Sequence, residues 1–335
     1  MKKTVALIYG GEGKERGVSK RSAEALFSLI DKKKYEILPI FISDDGGWYV
    51  SERDPFGKFP TAAAKPTYPV RLHDKSGFLS AGKIIEVDLA IPILHGDFGE
   101  DGVIQGALDA AHIRYIGSGT VASAVCIDKY ITKQIALSLG IPCAKGILLD
   151  GEAQDEAAYI SECNIGYPMF IKPTSLGSSI GAMRVDTRED FYKAYARAKS
   201  YGRVLVEELL PVEYEIECAY FNNGEREFFN PSGIITTGGE TYDFDKKYRT
   251  KNTARVLDAP PEHAEEITEY ARRLCRAIGI KDIGRVDFII TVSGEVYFNE
   301  INTIPGTTKT SLFPELCRIM LGCDFISSLL DGIAL

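Results

Sequence analysis

What the chain has little of narrows its chemistry first. Its 335 residues carry seven cysteines, at 126, 143, 163, 218, 275, 317 and 323, an odd number with no CxxC pair. That pattern favours reduced thiols in a cytoplasmic protein over a disulfide framework or a thiolate zinc site. Long apolar runs are missing too. The run after Met1-Lys2-Lys3 ends at Tyr9-Gly10-Gly11, too short for a signal peptide or a membrane span. Positive charge is in deficit: the formal net charge of -8 argues against general affinity for nucleic acid or an anionic membrane, although a local basic pocket for phosphate is compatible with it. There is no internal repeat and no low-complexity tract. What remains, with 45% hydrophobic and 26% charged residues, is a standard soluble globular composition long enough for two or three domains. Small-molecule chemistry is the function class that survives.

Thr4 to Ile8 predicts a buried strand, and Gly10-Gly11 separates it from a helix whose apolar residues Ala23, Leu26, Phe27 and Ile30 fall on one face, with Ser19 as its N-cap. Further strands are expected over residues 36–42 and 87–94, and the Gly-, Pro- and Ala-rich stretch 44–83 as an irregular insertion. Strand, glycine turn and helix in alternation predict a parallel sheet, which binds ligands at the carboxyl ends of its strands. The stretch GGEGKERG does not place GxGxxG in the dinucleotide-binding register. Yet Glu15 follows the first strand, and the strand ending at Leu94 runs into HGDFGEDGVIQG, which packs His95, Asp97, Glu100 and Asp101 among four glycines. Asp101 fits a helix cap as well as a site residue, and His95 fits a structural histidine as well as a functional one.

A helix over residues 128–139 stops at Gly140 and Pro142, and Lys129 at its start opposes the helix dipole; it is either functional or simply exposed. After a strand near 144–149 and a helix near 155–163, Lys172 ends an apolar strand, and the loop from Ser175 to Gly181 suits phosphates held by backbone N–H groups and hydroxyls. It lacks the Walker order. Residues 213–220 alternate glutamates with Tyr214, Ile216, Cys218 and Tyr220, the pattern of a half-buried antiparallel strand. The polar stretch 237–253 reads as a lid over ligand, and residues 262–278 as an amphipathic helix.

The chain then reaches RVDFIITVSGEVYFNEINTIPGTTKTSLFP. If Ser293-Gly294 is a two-residue hairpin turn, Asp287 falls opposite Glu300 and Arg285 opposite Asn302, all on one face with Ile289 and Phe298. An edge hairpin with a solvated charged face is the plain alternative; the apolar neighbours favour facing carboxylates that hold magnesium.

Taken together the motifs resemble those of the D-alanine:D-alanine ligase family within the ATP-grasp superfamily: GGxxxER.VS, HGxxGEDGxxQG, the Asp-Lys at 128–129, IKP followed by GSSxG, YDxxxKY, and RVDF with NExNTxPG. The resemblance spans nearly the whole chain in order. It implies a mixed α/β ATP-grasp fold with an N-terminal Rossmann-like parallel-sheet domain over 1–120, a central ATP-grasp subdomain over 121–212 and a C-terminal catalytic subdomain over 213–335. It implies transfer of the ATP γ-phosphate to the carboxylate of one D-alanine, then attack on the acyl phosphate by the amine of a second, for peptidoglycan precursors. In that scheme Asp287, Glu300 and Asn302 hold two magnesium ions, with manganese as a substitute, and Lys129, Lys172 and Lys247 neutralise phosphates. Glu207 to Leu210 line the adenine slot with Glu215 near the ribose. Glu15 receives the first ammonium and links through Ser178 to Tyr248; His95 lies near the first carboxylate. Arg285 and the Gly306 backbone stabilise the oxyanion, and Ser311 and Leu312 border the second substrate. A homodimer follows by analogy.

Departures from the family pattern are Gly13 in place of serine, Gly17 in place of a larger residue, and Thr-Thr-Lys-Thr at 307–310 in place of Met-Thr-Ser-His. Tyr248 resembles the dipeptide-forming members and Leu312 the alanine-using ones. D-alanine is the expected second substrate; D-serine or another D-amino acid, and a catalytically silent ATP-binding protein, are the alternatives.

Overall fold

The computed structural model describes residues 2–13, 15–51, 67–73, 77–151, 160, 163–177, 180–236, 254–257, 261–308 and 310–333. The first sheet holds β1 (Lys3–Gly10), β2 (Tyr35–Ile42), β3 (Trp48–Ser51) and β4 (Thr67–Pro69). The strands β5 (Arg71–His73), β6 (Gly77–Ser80) and β7 (Lys83–Glu86) form a small antiparallel sheet of their own before β8 (Leu89–Pro92) rejoins the first. Its order is β4-β3-β2-β1-β8, and β1 runs parallel to both β2 and β8. β1 is buried from Val5 to Tyr9, which is why it reads as a continuous apolar run without alternation.

Two expectations need correcting. The helix α1 (Arg16–Leu29) begins a turn earlier than predicted, with Glu15 at its N-cap. Ser19 lies inside it, fully buried, where its hydroxyl accepts from Gly10 N (2.9 Å) and donates to the Ile93 carbonyl (2.5 Å), tying the ends of two parallel strands together. The stretch 44–83 is not simply irregular either. A turn closed by Ser43 N and the Gly47 carbonyl (2.8 Å) feeds Trp48-Tyr49-Val50 back as an antiparallel strand. Trp48 then packs on Phe78 and Phe98, with ring centroids 6.1 and 6.4 Å apart. Aromatic packing outweighs the local Gly and Pro content.

Beyond α2 (Val103–Ala110), α3 (Thr120–Ile127) and α4 (Lys129–Ser138), a second sheet is built from β9 (Gly146–Leu149), β10 (Met169–Pro173), β11 (Met183–Val185) and β12 (Val204–Glu208) in the order β11-β10-β12-β9. α5 (Arg188–Lys199) lies against it through Phe191, Ala194, Tyr195 and Ala198. Most of the helix expected near 155–163 falls outside the described residues.

The third sheet is antiparallel, β15-β14-β13-β16-β17, from β13 (Val212–Asn222), β14 (Glu227–Ile235), β15 (Ala254–Val256), β16 (Ile283–Thr291) and β17 (Val296–Asn302). α6 (Ala264–Ile278) buries Ile267, Ala271, Leu274 and Cys275 against Ile216, Cys218, Val286, Phe288 and Phe298. Across the sheet, Ala219, Phe221 and Ile283 join Phe313 and Leu316 of α7 (Leu312–Leu321), Leu329 of α8 (Phe325–Gly332), and Val5, Leu7, Leu26 and Ile91 in one cluster. The first and third sheets thus share a core, which fixes the loop after β1 relative to β16.

The β16–β17 hairpin reaches the expected register by another route. Thr291 N donates to the Glu295 carbonyl (3.0 Å), and Gly294, at φ +82°, donates back to Thr291 O (2.9 Å), so the turn has three residues, 292–294. Such turns place glycine in the left-handed region. The extra turn residue offsets the ladder, so that Phe288 pairs with Phe298; a bulge between Phe298 and Glu300 then restores Asp287↔Glu300 and Arg285↔Asn302. Phe298 therefore sits in the core and not on the acidic face, where Asn299 and Ile289 line the cavity instead.

Candidate active site

One wall of the cleft is set by the ladders of the third sheet. β13 pairs Glu217 with Asp287, and β17 pairs Asp287 with Glu300, so three carboxylates lie abreast on neighbouring strands. Two residues along, Arg285 stands beside Asn302 on the same face. Arg285 Nε and Nη2 donate to Asp287 Oδ1 (2.7 Å) and Oδ2 (2.6 Å), and Nη1 lies 3.5 Å from Glu217 Oε1. All three side chains are buried. The glutamate face of β13 goes from exposed at Glu213 to buried at Glu217, which is only 6% exposed and lines the cavity beneath the second sheet. Burial drives the Asp287 carboxyl up and the guanidinium opposes it, leaving it raised to about 6.

The facing wall carries lysines. Asp128 caps α4 by accepting from Tyr130 N and Ile131 N, which sets Lys129 at the first helical position. Its Nζ donates to the Leu176 carbonyl (2.7 Å) and lies 3.2 Å from Glu300 Oε2, bridging the two walls. It is 9% exposed, so the surface-lysine alternative falls away. Lys172, at the end of β10, meets Glu207 Oε2 at 2.6 Å, and Lys133 pairs with the other oxygen of the same carboxylate. Burial pushes Glu207 up, but the two ammonium groups outweigh it and hold the carboxyl down at about 2. Lys133 was missed at the sequence level. Its signal is its place one turn after Lys129, among the buried residues Thr132 and Ala136.

Between the walls lies a cavity of about 500 Å³, lined by Lys129, Lys172, Asp287 and Glu300 and by the apolar Phe170, Ile180, Leu210 and Ile289. Glu207 and Glu215, to which the family resemblance assigns the nucleotide, also border it.

A second corner adjoins it. Gly96 has φ +71°, and a Cβ there would stand 2.4 Å from Glu15 Oε2, so the glycine lets the Glu15 carboxylate lie on the loop after β8. Gly177, on the cavity wall, is close to the same oxygen, 3.9 Å from where its own Cβ would be. His95 is buried with Nε2 3.0 Å from Ser22 Oγ. Glu100 accepts from Gly96 N (2.8 Å), and Asn302, with its amide turned so that Nδ2 faces acceptors, donates to Glu100 Oε1 (2.7 Å) and the Ile304 carbonyl (3.2 Å). Burial and the nearby Glu15 carboxylate push Glu100 up to about 8. Asp101 is structural: it accepts from Phe98 N (2.8 Å) and Val103 N (3.0 Å) at the start of α2.

The departing segment borders this corner. Thr307 is buried and donates from Oγ1 to the Ser22 carbonyl (3.3 Å). Thr308 Oγ1 lies 2.9 Å from the hydroxyl of Ser311, the N-cap of α7, and a Cβ on Gly306 would meet that hydroxyl at 2.8 Å. Leu312 packs against the core shared by the first and third sheets. Ser178, Lys247, Tyr248, Lys309 and the stretch 237–253 lie outside the described residues.

The donors suit magnesium. Asp287, Glu300 and Asn302 would offer hard oxygen donors from one face, and burial raises the Asp287 carboxyl, as expected where desolvated acids crowd. Among the described residues no group of three or more His, Cys, Asp or Glu side chains is gathered to hold a metal ion.

Comparison with known proteins agrees over most of the chain. The family model described as D-ala D-ala ligase N-terminus matches residues 4–118, and the one described as D-ala D-ala ligase C-terminus matches residues 135–332. D-alanine--D-alanine ligase of Geobacillus kaustophilus is 35% identical, covering 94% of this chain and 90% of its own; that of Thermoanaerobacter sp. (strain X514) is 34% identical, covering 94% and 91%. Among solved structures, the VanG D-Ala:D-Ser ligase from Enterococcus faecalis superposes with a TM-score of 0.87 at 32% identity, covering 100% of this chain and 99% of that one. The D-alanine-D-alanine ligase from Coxiella burnetii gives 0.85 at 26% identity, covering 98% and 93%. With its mixed α/β sheets, its acid-and-arginine ladder and both family models matched in order, the chain belongs to the D-alanine–D-alanine ligase family, ATP-dependent ligases of the ATP-grasp fold.

Proposed function

We propose that this enzyme joins two D-alanines at the expense of ATP, through a D-alanyl phosphate, to give the dipeptide used in peptidoglycan precursors. The observation that carries the reading is the facing of Asp287, Glu300 and Arg285 across one cavity by Lys129 and Lys172. Adenine lies by Glu207 to Leu210, with Glu215 toward the ribose, and the two lysines receive the phosphates together with Lys247. Glu15 takes the ammonium of the first D-alanine, and His95 lies near its carboxylate. That carboxylate attacks the γ-phosphorus and ADP leaves; the amine of the second D-alanine, having lost a proton, attacks the acyl carbon and phosphate leaves. Arg285 and Gly306 N–H stabilise the oxyanion formed in the second step, where charge develops in a buried site. Asp287, Glu300 and Asn302 would hold two magnesium ions, or manganese, whose contribution is to neutralise charge on the transferring phosphoryl group. The family resemblance implies roles for Ser178 and Tyr248 with Glu15, and for Ser311 and Leu312 at the second substrate.

A second reading, D-serine as acceptor, is favoured by one observation. Thr307 places a hydroxyl against the Ser22 carbonyl, where the family pattern has methionine. The resemblance also supports a cytoplasmic homodimer and division into parts 1–120, 121–212 and 213–335; a dimer mass by sedimentation checks the first. ATP-dependent phosphate release with D-alanine alone, then with added D-serine or D-lactate, with products identified by mass, tests the activity. Dipeptide from D-alanine alone supports the first reading. Turnover that requires the second compound selects the other acceptor, and background release with every D-amino acid overturns both.

A further inference from the structure

Three buried charges stand in a row at the basic wall: Lys133, Glu207 and Lys172, with 4%, 4% and 8% exposure. Lys172 and Glu207 border the cavity; Lys133, behind Glu207, is not among the residues that line it. Its amine nonetheless grips one Glu207 oxygen while Lys172 takes the other at 2.6 Å. A buried carboxylate bound to a single lysine would cancel that lysine's charge. With Lys133 present the group carries one net positive charge, and only Lys172 presents it to the cavity.

From this arrangement we infer that Lys133 is a positioning residue for nucleotide binding: it neutralises Glu207 from behind, so that Lys172 keeps its charge for phosphate while the shared carboxylate fixes its place. The inference rests on the reading that ATP fills this cavity. Lys129 does not replace the function, because its amine is already 3.2 Å from Glu300 on the opposite wall. Burial, with the neighbouring Lys172 charge, lowers the pKa of the Lys133 ammonium, and the Glu207 carboxylate in contact with it opposes both.

The test compares ADP with adenosine, which lacks phosphate, by titration calorimetry on the full chain with magnesium. The dissociation constant of adenosine divided by that of ADP isolates the phosphate contribution from any change in adenine contacts. Lys133→Met is expected to reduce that ratio about tenfold, the order of effect of one net charge at intermediate dielectric. Adding Glu207→Gln to it is expected to bring the ratio back to within about threefold of the unmodified chain, since Lys172 is then no longer cancelled. A purely structural role for Lys133 predicts a lower melting temperature and an unchanged ratio, and that result overturns the inference, as does failure of the double variant to recover. If Lys133→Met does not fold, Glu207→Gln alone decides: the ratio is expected to rise, and a fall or no change overturns the inference. Absence of ADP binding by the unmodified chain overturns the nucleotide reading together with this one, whereas normal binding with an unaltered Lys133→Met ratio overturns this one alone.

Discussion

The two walls of the cleft hold charge by different means. On the acidic wall, Glu217, Asp287, Glu300, Arg285 and Asn302 project from three adjacent strands, so ladder hydrogen bonds fix their spacing before any side chain is considered. On the basic wall a ladder sets only part of the group: Lys172 and Glu207 sit on the paired strands β10 and β12, whereas Lys129 and Lys133, from one turn of α4, reach them by packing alone. A ladder makes its charges a unit that fails as a unit; the packed wall divides its lysines between two acids, Lys129 on Glu300 and Lys133 with Lys172 on Glu207.

The largest effect that would test this contrast is expected from Arg285→Met. It strips Asp287 and Glu217 of their shared cation, and unfolding measurements should show a loss of about 3–5 kcal/mol. Ligation followed by phosphate release should fall by about a thousandfold, as for loss of an oxyanion donor. Adding Asp287→Asn should cost far less than the sum of the two single changes; additive losses would show that the acidic wall is not one unit. Next, Glu300→Gln should raise the magnesium concentration needed for nucleotide binding by about tenfold to a hundredfold, and an unchanged dependence would remove the metal assignment. On the other wall, Lys129→Met and Lys172→Met should each weaken ATP binding by about tenfold and combine almost additively, since their amines answer to different acids. The smallest effect is expected at the turn. Gly294→Ala, at φ +82°, should cost about 1 kcal/mol in thermal unfolding with little change in turnover, because the ladder and not the turn holds the acids.

The hairpin shows how far local pattern carries. Period-two alternation and a glycine turn are enough to face Asp287 with Glu300, but the turn has one residue more than the pattern suggests, and a bulge compensates. Phe298 was assigned to the wrong face for that reason: alternation cannot show where a bulge resets it. Ser19 was misplaced because a serine near a helix start looks like a cap whether it binds its own helix or, as here, two strand ends. The strands within 44–83 were hidden by Gly and Pro, although Trp48-Tyr49-Val50 carried a strand signal.

Legible in the chain were the parallel strands, the helix that begins at Lys129, the acid-bearing hairpin and, through the motifs, the family, because each is written in contiguous residues. Packing of distant segments decided that Glu217 is buried, that Lys133 and Lys172 share Glu207, that Asn302 rests on Glu100, and that the first and third sheets share a core. These pairs are dozens of residues apart or more. Nothing local encodes them; they follow from desolvated charges that must find partners once the sheets have packed.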